Sequence, residues 1–167
     1  MFPENRSLHS GLARFSFITL GCKSNQYDAA AMAADLRRAG LSETEPAAAD
    51  VIVINTCMVT GPAQSQCRKA IRQARRENPE AKLVVSGCMT QGAKEDIAGL
   101  REVDLVLDSA NRGSLTRMLG LCGEPSGDGW SDWPEDPAVA TGFRDRAFLK
   151  VQDGCDCRCA FCIIPSV

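Results

Sequence analysis

The sequence predicts an α/β domain of the doubly wound kind: a parallel sheet of about five strands, covered by helices on both faces. Two observations point there. Four short apolar runs, FSFITL (15–20), VIVIN (51–55), KLVVSG (82–87) and DLVLD (104–108), are continuous rather than alternating. That is the pattern of strands buried on both faces. Segments of helical period lie between them, and strands that alternate with helices build parallel sheets.

The elements follow in order. Residues 1–13 are a polar leader without the apolar middle of an export signal, and its His9 reads as a solvated side chain. After the first strand, a helix over 26–39 places Ala29, Met32, Ala33 and Leu36 on one face, with Gly40 as its stop signal. A weaker strand is expected at Leu41–Thr44. After VIVIN, a helix over 61–77 places Ala63, Cys67, Ala70, Ile71 and Ala74 on one face. Pro62 suits its first turn, and Asn78-Pro79 ends it. Asn25 and Thr60 stand where N-caps of the two helices belong. Shorter helices are expected at 91–99 and 112–119. The domain therefore covers 14–119, and no G-x-G-x-x-G follows its first strand. Residues 120–145 are rich in Gly, Pro and Asp and read as a linker, with Trp130 and Trp133 pinning it to a surface. From 146, RAFLKVQDG reads as a fresh strand that runs into a cysteine-rich loop.

Composition narrows the function. With 167 residues, 44% of them hydrophobic, the chain can bury an ordinary core. A net charge of −2 gives no global attraction to nucleic acid or an anionic membrane. Contact with RNA would need a local patch; Arg68, Lys69, Arg72, Arg75 and Arg76 form one basic stripe at helical spacing that could meet phosphates, although a solvated helix face is the more ordinary reading. No apolar run approaches membrane-spanning length, and a cytoplasmic location is expected. Nine cysteines are many for this length, and an odd number. Thiols of a chain that is not exported stay reduced, so metal binding or catalysis is favoured over disulfides.

The positions of the cysteines carry the chemistry. Cys22, Cys57 and Cys88 each follow a strand, in TLGCKSNQ, INTCMVT and SGCMTQ. If the weak strand at 41–44 forms, these are strands one, three and four, which are neighbours in the flavodoxin-like order 2-1-3-4-5. Such sheets bind ligands at the crevice where the strand order reverses. Three converging thiolates suit a four-iron, four-sulfur cluster with one open iron, although three buried structural thiols or a zinc site also use cysteines. Structural zinc usually takes four protein ligands, which this domain does not offer in close pairs. In GCDCRCAFC (154–162), Cys155, Cys159 and Cys162 have the spacing C-x-x-x-C-x-x-C, with Phe161 before the last thiol and Cys157 as an extra one inside. A loop of this kind can hold three irons of a second cluster, or a zinc knuckle. Cys67, on the apolar helix face, reads as a core thiol, and Cys122, in the linker, as incidental.

The terminal loop resembles the cluster motif of radical S-adenosylmethionine enzymes. LKVQDGC before it and CIIP after it narrow the resemblance to the methylthiotransferases. TLGCKSNQYDAAAM, VIVINTCMVT and VVSGCMTQ resemble that family's N-terminal cluster-binding domain, so the resemblance covers about 15–167. TLGCKSNQYDA looks most like the branch acting on threonylcarbamoyladenosine in tRNA. The branches acting on isopentenyladenosine in tRNA and on a ribosomal protein are the alternatives. The resemblance implies two [4Fe-4S] clusters. Cys155, Cys159 and Cys162 would hold the one whose open iron binds S-adenosylmethionine for radical formation. Cys22, Cys57 and Cys88 would hold an auxiliary cluster that presents sulfur. It further implies tRNA as partner, an electron donor such as flavodoxin or ferredoxin, and a continuation into a (β/α) barrel. Residues 146–167 would be the truncated start of that barrel, and the chain alone is expected not to turn over. A non-catalytic iron–sulfur electron carrier or sensor is the rival reading from another class. Both triplets leave one iron open, which favours the enzyme.

Overall fold

The computed structural model describes residues 11–121 and 150–166. Ten regular elements follow one another: β1 (Arg14–Thr19), α1 (Lys23–Arg38), β2 (Ser42–Glu43), β3 (Val51–Thr56), α2 (Gly61–Glu77), β4 (Lys82–Gly87), α3 (Met89–Gly92), α4 (Lys94–Ala98), β5 (Leu105–Val106) and α5 (Leu115–Met118). All strand pairs are parallel, and the order is β2-β1-β3-β4-β5. This is the doubly wound sheet expected, in the strand order expected.

Side chains alternate across a strand, so one strand feeds two cores. In β3, Ile52 and Ile54 face a layer built from Leu83 and Val85 of β4, Cys67, Ile71 and Ala74 of α2, Met89 of α3 and Ile97 of α4. Val51 and Val53 face the other way, onto Phe15 of β1, Val84 of β4, Met32, Ala33 and Leu36 of α1, and Leu115 and Leu119 at α5. Every residue of β3 is buried, which explains why its sequence is apolar without alternation.

Several boundaries moved. Helix α1 starts at Lys23, three residues before the expected 26, because the chain turns out of β1 directly at Gly21 (φ +111°). Asn25 is therefore inside the helix and not its cap; Cys22 takes the N-cap position in extended conformation, without a side-chain cap bond. Thr60 caps α2 as expected, its Oγ1 accepting from the Ala63 N–H at 3.2 Å. The helix expected at 91–99 is broken into α3 and α4, with Ala93 between them off the helical region (φ −141°, ψ 40°). The helix expected at 112–119 is a 3₁₀ turn over Ser109–Ser114 followed by the short α5. Residues 150–154 form no strand. The rest of that expected strand, the leader with His9, and the linker with Cys122, Trp130 and Trp133 lie outside the described residues.

Two of the five residues of the basic stripe on α2 are engaged within the fold. Arg75 spends its guanidinium on the fold: it donates to the carbonyls of Glu102, Pro79 and Ala81 and to Asp104 at 2.5–3.1 Å, tying the end of α2 to the chain entering β4 and β5. Arg68 pairs with Asp96 at 3.1 Å. Only Lys69, Arg72 and Arg76 of the five stand exposed. No helix among the described residues is long and apolar enough to cross a membrane.

Candidate metal centre

Strands β1, β3 and β4 are neighbours and leave the sheet at one level. Thr19 pairs with Asn55, Asn55 with Ser86, and Thr56 with Gly87. Two further backbone bonds extend the ladder past the strands: Leu20 N–H to the Asn55 carbonyl (2.9 Å) and Cys88 N–H to the Thr56 carbonyl (3.1 Å). The residues that follow are Cys22, Cys57 and Cys88. The structure thus brings the three thiols to one edge of three adjacent strands, the carboxyl edge, beside the crevice between β1 and β3. Cys22 is exposed, Cys57 buried and Cys88 half-buried.

Two glycines make this convergence possible, and each stands immediately before a cysteine. Gly21 (φ +111°) lies so close to Cys57 that a Cβ on it would sit 2.7 Å from the Cys57 Cβ and 3.2 Å from its Sγ. The Cys57 side chain therefore leans toward the residue next to Cys22. Gly87 (φ +94°) lies on the β3 backbone, where a Cβ would sit 2.7 Å from the Thr56 nitrogen and closer still to the Thr56 carbonyl and the Asn55 amide. Neither position accepts a side chain, both for backbone conformation and for space.

A pair of buried asparagines ties the start of α1, beside Cys22, to β3. Asn25 Nδ2 donates to the Thr56 carbonyl (2.7 Å) and to Asn55 Oδ1 (3.3 Å), while Asn55 Nδ2 donates to the Asn25 carbonyl (2.7 Å). The remaining oxygen of Asn25 accepts from the Cys22 thiol at 3.2 Å. The side chain expected to cap a helix thus orients a thiol instead. Behind Cys57, the buried Cys67 Sγ accepts from the Cys57 N–H at 3.3 Å, the role of a core thiol. Burial pushes the Cys67 thiol pKa up, against the opposing pull of that N–H.

The electrostatics of Cys88 report its neighbours. Burial raises its pKa most, and the nearby Cys57 and Cys22 thiols raise it further. Arg112 opposes them, and Asp28 adds to the rise. Thiols that repel one another when ionised need positive charge between them before all three can act as thiolates. Among the described residues, no three His, Cys, Asp or Glu side chains close on a single metal-ion position. Neighbouring strands lie about 4.8 Å apart, so β1 and β4 are separated by about 10 Å. A mononuclear zinc, with bonds of about 2.3 Å to sulfur, needs a tighter set. Thiols from three neighbouring strand ends could hold a multi-iron group.

The second cysteine group sits on the terminal segment. Gly154 turns the chain at φ +70° ahead of Cys155. The Cys162 N–H bonds the Cys159 carbonyl at 3.0 Å, folding the last two thiols of the spacing into one turn. Cys155 and Cys162 are half-buried, Cys159 and Cys157 exposed, and Phe161 is 94% exposed.

The fold is a doubly wound parallel domain with three thiols at the carboxyl edge of adjacent strands. Residues 14–108, more than half of the chain, match the model of Uncharacterized protein family UPF0004, and the chain belongs to that family. It is 38% identical over 154 residues to the threonylcarbamoyladenosine tRNA methylthiotransferase MtaB of Chlamydia pneumoniae, covering 90% of this chain and 35% of that protein. It is 36% identical to the MtaB of Bacillus subtilis (strain 168), over 92% of this chain and 36% of that protein. It is 34% identical to the ribosomal protein uS12 methylthiotransferase RimO of Sorangium cellulosum, over 90% of this chain and 33% of that protein. The chain spans about a third of the length of these relatives.

Sequence reasoning anticipated that Cys22, Cys57 and Cys88 end three neighbouring strands, but took Asn25 for a cap and missed its partner Asn55 and the close approaches of Gly21 and Gly87. A signal for the two glycines was present, since Gly-Cys recurs at 21–22 and at 87–88, each time directly after a strand.

Proposed function

We propose that this chain carries the two cysteine sites of a radical S-adenosylmethionine methylthiotransferase, with tRNA as its substrate. The reaction would add a methylthio group to carbon 2 of N6-threonylcarbamoyladenosine next to the anticodon. The observation that carries the reading is the arrival of Cys22, Cys57 and Cys88 at one sheet edge from three adjacent strands. Relatives named as methylthiotransferases support it, four of them bearing the threonylcarbamoyladenosine tRNA name at 33–38% identity.

In this reading Cys22, Cys57 and Cys88 hold the auxiliary cluster, and Cys155, Cys159 and Cys162 hold the cluster that binds S-adenosylmethionine. The clusters supply radical chemistry and sulfur when bound. The chain's own residues supply placement. Gly21 and Gly87 let the strand ends approach, and Asn25 holds the Cys22 thiol. Cys57, buried beside Gly21, offers its sulfur from a site closed to bulk water on its inner side. Phe161 borders the loop that takes the S-adenosylmethionine. An electron donor of the flavodoxin or ferredoxin kind would reduce the terminal site. Of the basic stripe, Lys69, Arg72 and Arg76 remain for contact with phosphates.

A ribosomal-protein substrate is the second reading, because four relatives at 29–34% identity bear the uS12 methylthiotransferase name. The segment TLGCKSNQYDA favours tRNA. One comparison separates the two. The gene encoding this chain is disrupted, and both tRNA nucleosides and ribosomal protein uS12 are weighed by mass spectrometry. Loss of the methylthio group from threonylcarbamoyladenosine, with uS12 unchanged, is expected. An unchanged nucleoside pool overturns the tRNA assignment.

A further inference from the structure

A ring of four paired charges, three of them on buried side chains, joins the terminal segment to the edge that carries the strand-end thiols. Asp28 lies on α1, six residues past Cys22. Arg112 lies in the 3₁₀ turn that follows β5. Lys150 and Asp153 lie just before Cys155. Arg112 Nη1 reaches Asp28 Oδ2 at 2.7 Å and Asp153 Oδ2 at 3.5 Å. Lys150 Nζ reaches Asp28 Oδ1 at 2.7 Å and Asp153 Oδ1 at 2.9 Å. Cation and anion alternate around the ring, and the four charges sum to zero.

The burial is unusual for these residue types. The side chains of Asp28, Arg112 and Lys150 are 7%, 9% and 9% exposed, while the adjacent Val151 is 84% exposed. Hydrophobicity alone would turn Val151 inward and Lys150 outward. The segment instead buries its lysine, so charge pairing decides which way it faces. Lys150 and Asp28 stand 122 positions apart in sequence, and the ring therefore connects chain ends rather than one local turn. A buried ionic group contributes little net stability, because desolvation offsets attraction; its better-attested use is to specify one arrangement.

The geometry points to a latch: Asp28 and Arg112 form a socket that receives Lys150 and Asp153 and thereby holds the Cys155–Cys162 loop at the carboxyl edge of the sheet, with both cysteine groups on one side of the domain. Asp28 and Arg112 also stand within electrostatic reach of the Cys88 thiol. Cys155 follows Asp153 by two residues, so their Cα atoms are at most about 7 Å apart. The loop beyond its root is exposed over residues 156–161. Asp28, Arg112, Lys150 and Asp153 are positioning residues. Their functional meaning rests on the two-cluster reading above, but the latch itself does not, and it can be read without any cluster.

Trypsin reads it on the intact, iron-free chain. Lys150 is shielded in the ring, Arg158 is exposed in the loop, and Lys82 lies in β4 of the central sheet. Cleavage of a segment that opens and closes quickly tracks the population of the open form. In the unaltered chain, cutting after Lys150 should be at least about tenfold slower than after Arg158. Asp28→Asn should raise the Lys150 cut by about tenfold while cutting after Lys82 stays slow. Asp153→Asn, at the more exposed corner, should raise it less and supplies the measurement if Asp28→Asn does not fold. Asp28→Glu should restore part of the protection. Equal cutting at Lys150 and Arg158 in the unaltered chain overturns the latch. So does an unchanged Lys150 cut in the variants, or a parallel rise at Lys82, which would mark general loosening instead of local release.

Discussion

Gly87→Ala is the sharpest test of how the strand-end site is built, because Gly40 provides an internal control. Both glycines have nearly the same positive φ, +94° and +91°. They differ in surroundings. A Cβ on Gly40 would meet nothing within 4 Å, whereas one on Gly87 would press on the backbone of Thr56 and the amide of Asn55. Left-handed conformation costs an L-residue about 1–2 kcal/mol. Stiffening of the unfolded chain returns about 0.4–1 kcal/mol. Gly40→Ala should therefore destabilise by about 1 kcal/mol. Gly87→Ala adds the cost of overpacking against atoms that cannot move away, about 1–3 kcal/mol, for a total of about 2–4 kcal/mol. Urea unfolding followed by far-ultraviolet circular dichroism measures both. The expected result is a Gly87→Ala loss exceeding the Gly40→Ala loss by at least about 1 kcal/mol. Equal losses would refute the close approach of Gly87 to β3, and with it the explanation for the Gly-Cys pairing.

Other substitutions probe the remaining supports. Arg75→Ala removes charge-assisted bonds to three carbonyls and Asp104, and should cost about 2–3 kcal/mol in the same urea assay; Arg72→Ala, on an exposed side chain, should stay within about 0.5 kcal/mol. Similar costs for the two would mean that Arg75 is a surface charge after all. Thr60→Ala should cost about 1 kcal/mol through loss of the α2 N-cap, and Thr60→Ser should recover most of it. Asp50 gives a pH signature. Burial works against its ionisation, but the Arg14 guanidinium and the backbone N–H groups of Ala13 and Arg14 outweigh it, and its pKa lies below the usual carboxylate range. A carboxylate with a depressed folded pKa contributes stability that is present above its unfolded pKa, about 3.9, and is lost as pH falls through the folded value. Acidification below about pH 4 should thus weaken the unaltered chain more steeply than Asp50→Asn, and identical slopes would contradict this.

Much of the fold was legible because its cues are local. The runs 51–55 and 82–87, short, β-branched and apolar without alternation, read as doubly buried strands, and α2 was bounded correctly by Thr60, Pro62 and Asn78. Strand order followed from placing the weak strand at 41–44, which the structure reduces to Ser42–Glu43 at the sheet edge. The start of α1 was misread because Asn25 has the chemistry of a cap. Its true partners, Asn55 and Thr56, lie about thirty residues away and meet it only in the folded sheet. The same holds for Arg75, which reads as one basic residue among five until the carbonyls around it are seen. The ring of Asp28, Arg112, Lys150 and Asp153 was invisible for a further reason: a charged residue in sequence signals solvent, and only the three-dimensional neighbourhood shows that all four are paired and that the first three bury their side chains. The cysteines were legible because their residue type is scarce and their positions repeat at strand ends.

The most direct measurement is the iron and sulfide content of two variants after anaerobic reconstitution. In one, Cys22, Cys57 and Cys88 are all changed to alanine; in the other, Cys155, Cys159 and Cys162 are. The strand-end site would draw its ligands from a folded sheet braced by Asn25, Gly21 and Gly87, whereas the terminal loop is exposed over residues 156–161. The first variant should lose most of the tightly held iron and sulfide, together with the visible thiolate-to-iron absorbance, and the second should lose less. A first variant that keeps the full content of the unaltered chain would show that the three-strand edge holds no cluster, and would contradict the two-site account.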